Sequence, residues 1–323
     1  MKSAMLMAYG SPDNHKIMGA PMPEPGPGQV RIKVAYAGLR FGDFYTLAGA
    51  FTVGAQPKPP FIPGQEISGV VEKLGEGVKN VKIGDRVASS TAQGAFAEYA
   101  VAPAAGLSFI PAKCDLGSYL VYYINLRVAY LAVNTFGQIK DGDKVLVHAP
   151  VGGVGQMIME VLRKRLKNIT IVAVTSTPEK MQMAKELGAD FVINYKTSDY
   201  VKETIKYLGG RKIDVSLNGV GGSTMKVDAQ TIRPLGRWVI YGFTAGFEHP
   251  VFSAYDSHTI IPFSILPVVA YWPQEFARTT AFLDEWVVKE KLMAPVIYPL
   301  EKIAEAEKAL KNGTSTGKIV FKI

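Results

Sequence analysis

An α/β fold, with a doubly wound parallel sheet beside a β-rich region, is predicted by three observations. From about residue 144, short apolar runs alternate with helix-like segments. Strands are expected at Lys144–His148, Ile169–Val174, Phe191–Asn194, Ile213–Leu217 and Trp238–Tyr241. Strands alternating with helices form a parallel sheet covered on both faces. The first of these runs stops abruptly at a glycine-rich turn, Ala149-Pro150-Val151-Gly152-Gly153-Val154-Gly155, with a helix expected from Gln156. The first hundred residues read instead as strands, at Gln29–Ala37, Glu66–Leu74 and Phe96–Val101.

The remaining elements follow in order. Pro21 to Gly28 is a stiff proline-rich loop feeding the first strand. Gly75, Gly77 and Gly84-Asp85 mark turns around another short strand. Tyr119 to Phe136 is a long apolar helix with Gly137 as its stop. Glu179 to Leu187 is a helix with Gly188 as its C-terminal signal. After about residue 260 the chain leaves the alternating region. Glu301–Leu310 is then an amphipathic helix ended by Asn312-Gly313, and Lys318–Ile323 a strand. The domains expected are 1–120 with 262–323, and 121–261.

Strand, glycine turn and helix together make a dinucleotide-binding unit. Glycines let backbone N–H groups approach a pyrophosphate, and the helix N-terminus adds partial positive charge. The spacing Ala149-x-x-Gly152-x-x-Gly155 is a variant of G-x-G-x-x-G. The motif alone also describes a tight turn that binds nothing. Context adds the next strand, which ends in Thr175-Ser176-Thr177 without the acid that would hold the ribose 2′-OH of NAD. Ser176, Lys180 and Tyr195 offer hydrogen bonds and one positive charge to a 2′-phosphate, so NADPH is read over NADH. Thr177 is equally a helix N-cap with Pro178 at the first turn, which makes Lys180 an ordinary solvated lysine.

With 323 residues, 48% apolar and 20% charged, the chain has the composition of a soluble two-domain protein. Its start, Met1-Lys2-Ser3-Ala4-Met5, has no secretory h-region, and Ile260–Trp272 is too short to span a bilayer. One cysteine, Cys114, excludes a disulfide framework. A cytoplasmic location is therefore expected. The net charge of +8 attracts phosphates. It is dispersed, and its densest group, Arg163-Lys164-Arg165 with Lys167, sits where cations complement a helix C-terminus. Nucleic acid is thus not the expected partner.

Several ordered motifs resemble the medium-chain dehydrogenase/reductase family. They are Val30–Gly38, Pro63-Gly64-Gln65-Glu66-Ile67-Ser68-Gly69-Val70-Val71, Gly75-Glu76-Gly77-Val78, Gly84-Asp85-Arg86-Val87, the glycine turn and Gly317-Lys318-Ile319-Val320. The chain is similar to the zinc-free quinone oxidoreductases within that family. Asp199-Tyr200-Val201 and Pro234–Gly242 resemble the vesicle amine transport protein branch. The resemblance implies a GroES-like β-barrel substrate domain made from both chain ends, a Rossmann domain between them, NADPH in the cleft, and a homodimer that extends the Rossmann sheet. It implies that Ser176, Lys180 and Tyr195 meet the 2′-phosphate and that Gly152, Gly153 and Val154 meet the pyrophosphate, beside Gly155. It further implies that Asn218, Gly242 and Phe243 line the nicotinamide side.

Zinc is argued against by composition. A catalytic zinc needs about three Cys, His or carboxylate ligands. The chain has one cysteine and four scattered histidines, His15, His148, His249 and His258. Gln65 stands where zinc-dependent relatives carry a ligand His next to Glu66. His148, at a strand end, reads as a packed or hydrogen-bonded structural residue. No metal is expected, and hydride addition to a quinone or a conjugated C=C is easier without a Lewis acid than alcohol oxidation.

Two residues depart from the family pattern. Arg40 and Arg127 occupy positions where zinc-free relatives carry Asn and Thr near the nicotinamide. Guanidiniums there would disfavour the oxidised ring and attract an anionic substrate. Alternatively, they point to solvent or pair with acids such as Asp43 or Glu66. Tyr45 is the candidate proton donor or, equally, an aromatic wall of the cleft. Tyr122, Tyr123 and Phe51 are expected in the core or lining the pocket, and Asp43 as a backbone-fixing acid. The expected activity is an NADPH-dependent quinone or enone (enal) oxidoreductase. Its rivals are a non-catalytic NADPH-binding interaction or membrane-associated protein, and an RNA-binding relative.

Overall fold

Alternating apolar and polar residues make the N-terminal region a set of short strands. The structure, a computed structural model, describes residues 1–50, 57–91 and 93–323. Phe51 lies outside the described residues. The chain divides into two units, Met1–Tyr123 with Trp286–Ile323, and Ile124–Glu285.

In the first unit, β1 (Lys2–Leu6) and β2 (His15–Gly19) pair as an antiparallel ribbon. The main sheet is centred on β3 (Gln29–Gly38), followed in sequence by α1 (Asp43–Leu47), β4 (Glu66–Leu74), β5 (Arg86–Ser90), β6 (Tyr99–Pro103) and β7 (Ser108–Phe109). Strand β3 pairs antiparallel with β4 and β6, β4 with β5, and β5 with β7. The strand expected at Phe96–Val101 starts three residues later. Phe96 is engaged elsewhere: its N–H donates to Pro63 O, its carbonyl accepts from Ala4 N–H, and its ring meets Phe321 edge-on at 5.1 Å.

The long apolar segment is not one helix. Helix α2 (Leu116–Tyr123) ends where the first unit's N-terminal part ends. Helix α3 (Asn125–Tyr130) then opens the second unit and runs into a π-helical turn, Leu131–Phe136, that stops at Gly137.

The second unit is a six-stranded parallel sheet. Its strands are β8 (Lys144–His148), β9 (Thr170–Thr175), β10 (Phe191–Asn194), β11 (Ile213–Asn218), β12 (Ile232–Ile240) and β13 (Thr259–Pro262), in the order β10-β9-β8-β11-β12-β13. The helices are α4 (Gly153–Arg165), α5 (Pro178–Glu186), α6 (Tyr200–Tyr207), α7 (Ile265–Tyr271) and α8 (Pro273–Lys289). Leu146, Val172, Ile193, Ile213 and Trp238 form its core. The order reverses between β8 and β11, and ligands of such sheets bind at the carboxyl ends of the strands there.

This unit runs to Glu285, past the expected limit at residue 261. Strand β13 adds to the sheet through Trp238↔Ile260 and Val239↔Ile261. Helix α8 is tied back to the start of the unit, with Thr135 donating to Glu275 at 2.5 Å. Residues 262–285 are therefore grouped with the parallel sheet.

The C-terminal segment completes the first unit with β14 (Val296–Pro299), α9 (Ile303–Lys311) and β15 (Ile319–Lys322). Strand β15 pairs antiparallel with β3 and parallel with β14. Val30, Ile32, Ile67, Phe96, Ile303 and Phe321 share one core.

Candidate cofactor site

The glycine turn joins β8 to α4 at the switch point. Ala149 adopts φ +49°, a left-handed conformation uncommon for alanine. Gly152 is the N-cap of α4, and no side chain caps the helix. A Cβ at Gly155 would stand 2.1 Å from Ala149 O, so only glycine lets the helix lie this close to the turn. A Cβ at Gly153 would come within 2.9 Å of Asn125 Nδ2. The helix start, Gly153 and Val154 included, thus presents backbone donors with no N-cap side chain bonded to them.

The second cluster lies at the ends of β9 and β10. Asn194 is in register with Thr175, and Tyr195 N–H donates to Thr175 O at 3.0 Å. Ser176 and Tyr195 therefore leave adjacent strand ends. Thr177 is the N-cap of α5, its Oγ1 accepting from Lys180 N–H at 3.3 Å. Thr177 thus caps the helix, as the sequence suggested. Lys180 is half-buried, and burial, then the like charge of Lys196, hold its ammonium below the ordinary lysine value. Glu179 turns back on its own N–H and on Thr177. Lys196 was missed in the sequence, although it directly follows Tyr195; its N–H is held by Asn194 Oδ1 at 3.0 Å.

On the other side of the switch point, Asn218 ends β11. Its Nδ2 donates to Thr224 Oγ1 and to Asp228 Oδ2, both at 2.8 Å, while its Oδ1 accepts from Val220 N–H at 2.9 Å and Gly221 N–H at 3.0 Å. The amide is thereby fully engaged in shaping the loop that follows. That loop is joined to the one after β12: Gly222 N–H donates to Gly246 O and Ala245 N–H to Val220 O. Gly242 lies in the second loop, where a Cβ would meet Gly219 O at 2.7 Å. Phe243 is half-buried, its ring 5.1 Å from that of Phe247.

Asp228 lies beneath these loops and is fully buried. His148 Nε2 and Tyr200 OH donate to its Oδ1 at 2.8 and 2.6 Å, and Ser216 OH and Asn218 Nδ2 to its Oδ2 at 3.0 and 2.8 Å. Burial pushes this carboxyl up, but the charge and hydrogen bond of His148, with Tyr200 and Asn218, outweigh it and hold Asp228 below the usual carboxylate range. Burial beside Asp228 pushes the Tyr200 phenol up.

The remaining candidates lie apart in sequence. Tyr45, on α1, is 41% exposed. Arg40 donates to Gln65 Oε1, and its Nη2 stands 3.7 Å from Asp43 Oδ1. Asp43 Oδ2 also accepts Arg40 N–H at 2.8 Å, the backbone-fixing role expected of it. Arg127 is 2% exposed, its guanidinium 5.0 Å from the ring centroid of Phe276. Burial pushes nearby Asp284 up, and the Arg127 charge opposes it. Tyr122 and Tyr123 are buried, with Tyr122 OH accepting Met293 N–H at 3.0 Å.

Two of the four histidines face carboxylates, His148 on Asp228 and His15 on Glu307 at 3.2 Å. Among the described residues no group of three His, Cys, Asp or Glu side chains could hold a metal. The densest basic group is matched by acids: Arg163 with Asp190 at 2.6 Å, Lys164 with Glu160 at 3.3 Å and Arg165 with Glu285 at 3.0 Å. No helix among the described residues is long and apolar enough to cross a membrane.

A parallel sheet with an uncapped glycine turn at its switch point is the architecture of a dinucleotide-binding protein. Two family profiles match the chain, one described as an alcohol dehydrogenase GroES-like domain over residues 26–112 and one as a zinc-binding dehydrogenase over 153–284. A probable quinone oxidoreductase of Schizosaccharomyces pombe is 30% identical over 93% of this chain and 90% of its own length. The synaptic vesicle membrane protein VAT-1 homolog of Mus musculus is 27% identical over 99% of this chain and 83% of its own. A mycobacterial protein solved with NADPH superposes with a TM-score of 0.89 at 26% identity, over 100% of both chains. The chain belongs to the medium-chain dehydrogenase/reductase family, in its zinc-free quinone oxidoreductase type.

Proposed function

We propose that the protein is a zinc-independent, NADPH-dependent oxidoreductase that reduces a quinone or an activated C=C bond of an enone or enal. The observation that carries the cofactor reading is the cluster at the ends of β9 and β10. Ser176 and Tyr195 supply hydroxyls there, and Lys180 carries a positive charge crowded by Lys196. A 2′-phosphate placed among them relieves that repulsion, whereas a bare ribose hydroxyl does not. The donors at the start of α4 suit the pyrophosphate. NADPH, when bound, supplies the hydride.

The residues of the chain orient the acceptor and move its proton. Tyr45 donates a proton to the enolate or quinol oxygen. Arg40, fixed by Gln65 and Asp43, directs an N–H toward an acceptor oxygen, and its charge is offset by Asp43. The packing of Arg127 on Phe276 supports a role in holding α8, which leaves Arg40 as the arginine for the acceptor. The quinone acceptor is favoured by the S. pombe relative. A homodimer is assigned to the edge of the parallel sheet, where β13 is the last strand among the described residues and α7 exposes Leu266, Val269 and Tyr271. Sedimentation equilibrium checks it, and a monomer at micromolar concentration refutes it.

The cofactor test is a fluorescence titration. NADPH is expected to bind at least about tenfold more tightly than NADH, or about 1.4 kcal/mol. Lys180→Ala erodes that preference. Equal affinities, or an unchanged preference in the variant, would refute the 2′-phosphate assignment. Binding without turnover of any quinone, enone or enal would favour the non-catalytic reading. For the acceptor, Arg40→Asn is assayed against an unsaturated acid and its methyl ester. A preferential loss on the acid identifies an anionic substrate.

A further inference from the structure

Asp228 belongs to neither cluster expected to touch the cofactor, yet it joins the two loops at the switch point. An ionised carboxylate has only acceptor sites, and here four donors from β8, α6 and β11 fill them. Two of those donors stand at the roots of the loops. His148 is the last residue of β8, directly before Ala149, whose left-handed backbone begins the phosphate turn. Asn218 is the last residue of β11, and its Oδ1 holds the N–H groups of Val220 and Gly221. A single buried carboxylate therefore sets the orientation of both side chains.

We infer that Asp228 is a positioning residue for the pyrophosphate–nicotinamide part of the cofactor, locking the Ala149–Gly155 turn and the Asn218–Gly222 loop in mutual register. The inference rests on the NADPH reading above. It acts through His148 and Asn218, not by contact with the ligand. Its charge matters as well as its shape. An Asn at this position would turn an NH₂ group toward two donors, and in either orientation the pair would include His148 or Asn218. One loop root would then lose its acceptor, while the ends of β9 and β10, which carry Ser176, Lys180 and Tyr195, would keep their own bonds.

That asymmetry gives the test. Wild type, Asp228→Asn and Tyr200→Phe are titrated with NADPH and with adenosine 2′-monophosphate, which carries the 2′-phosphate and no part of the pyrophosphate. Asp228→Asn is expected to weaken NADPH about tenfold, or about 1.4 kcal/mol, and adenosine 2′-monophosphate by less than about twofold. Tyr200→Phe removes one donor from Asp228 at a position far from the phosphate turn in sequence. It is expected to weaken NADPH about threefold with the same selectivity, and it decides the matter if Asp228→Asn does not fold. Equal losses for both ligands would mean general loosening of the unit and overturn the inference. Unchanged NADPH affinity in the variants would overturn it too. Wild type that fails to bind NADPH would refute the cofactor reading itself, and the inference with it.

Discussion

Asp228 in the parallel-sheet unit and Glu307 in the strand-rich unit are both buried carboxyls facing a buried histidine, and they are shifted in opposite directions. Asp228 has four donors on two oxygens and lies below the usual carboxylate range. Glu307 has His15 on Oε1 and, among the described residues, no hydrogen-bond partner on Oε2, and burial pushes it up against the pull of His15, with Asp43 adding to the rise. Asp43 behaves like Glu307: Oδ1 has no hydrogen bond among the described residues, and burial outweighs Arg40. Depth does not decide the direction in which a buried acid is shifted. The number of donors that converge on it does. In the unit with the glycine turn, the donors come from β8, β11 and α6, elements that the fold already holds in place, so a charge is stabilised at little further ordering cost.

The strongest way to break this comparison is to delete both carboxyls. Asp228→Ala strands four buried donors and is expected to cost about 3–5 kcal/mol, as removal of one partner from a buried charged network does. Asp43→Ala strands mainly Arg40, which retains Gln65 and is partly exposed, and should cost clearly less. Urea unfolding followed by circular dichroism ranks the two. Equal costs would mean that volume lost on truncation, and not the donor count, sets the penalty.

A sharper version uses acid. The folded value of Asp228 lies below the ordinary 3.8. Its contribution to stability is therefore complete above about pH 4 and is lost as pH falls through the folded value. Glu307 is raised from 4.5, so the fold favours its neutral form. Its effect is most favourable below the unfolded value and is lost as pH rises through the folded one. Carboxyl ¹³C shifts recorded across pH 2–7 should show the Asp228 resonance still ionised at a pH where that of Glu307 is protonated. A common midpoint would remove the distinction.

Much of the fold was legible because its signals are local. Lys144–His148, Phe191–Asn194 and Glu66–Leu74 lie where alternation and glycine punctuation put them. So do the turn at Gly152–Gly155 and the strand end that lacks an acid. The break after Tyr123 was not legible, because Tyr119 to Phe136 is largely apolar, with only Asn125, Arg127, Asn134 and Thr135 polar, and its period does not report an interruption. Nor was the packing of residues 262–285, which depends on β13 finding β12 and on Glu275 finding Thr135. Asp228 gave no signal at all. Its four partners are 80, 28, 12 and 10 residues away, and only the sheet order brings them together. Tyr200 was read as a family marker in Asp199-Tyr200-Val201; in the structure Asp199 caps α6 and the Tyr200 hydroxyl reaches Asp228.

The smallest expected effect comes from Glu307→Gln, and it tests the neutral side of the comparison. The amide keeps an oxygen for His15 Nε2 and has nearly the volume of the acid, so no cavity forms. Because the fold already favours the uncharged carboxyl, an uncharged amide should cost less than about 1 kcal/mol at pH 5. The difference should shrink or change sign as pH rises toward 8, since wild type then has to ionise a buried group and the variant does not. Paired urea titrations of the two proteins at several pH values read this directly. A loss that grows with pH would mean that Glu307 is held as a carboxylate by His15, which would put it in the same state as Asp228 and end the contrast between the two units.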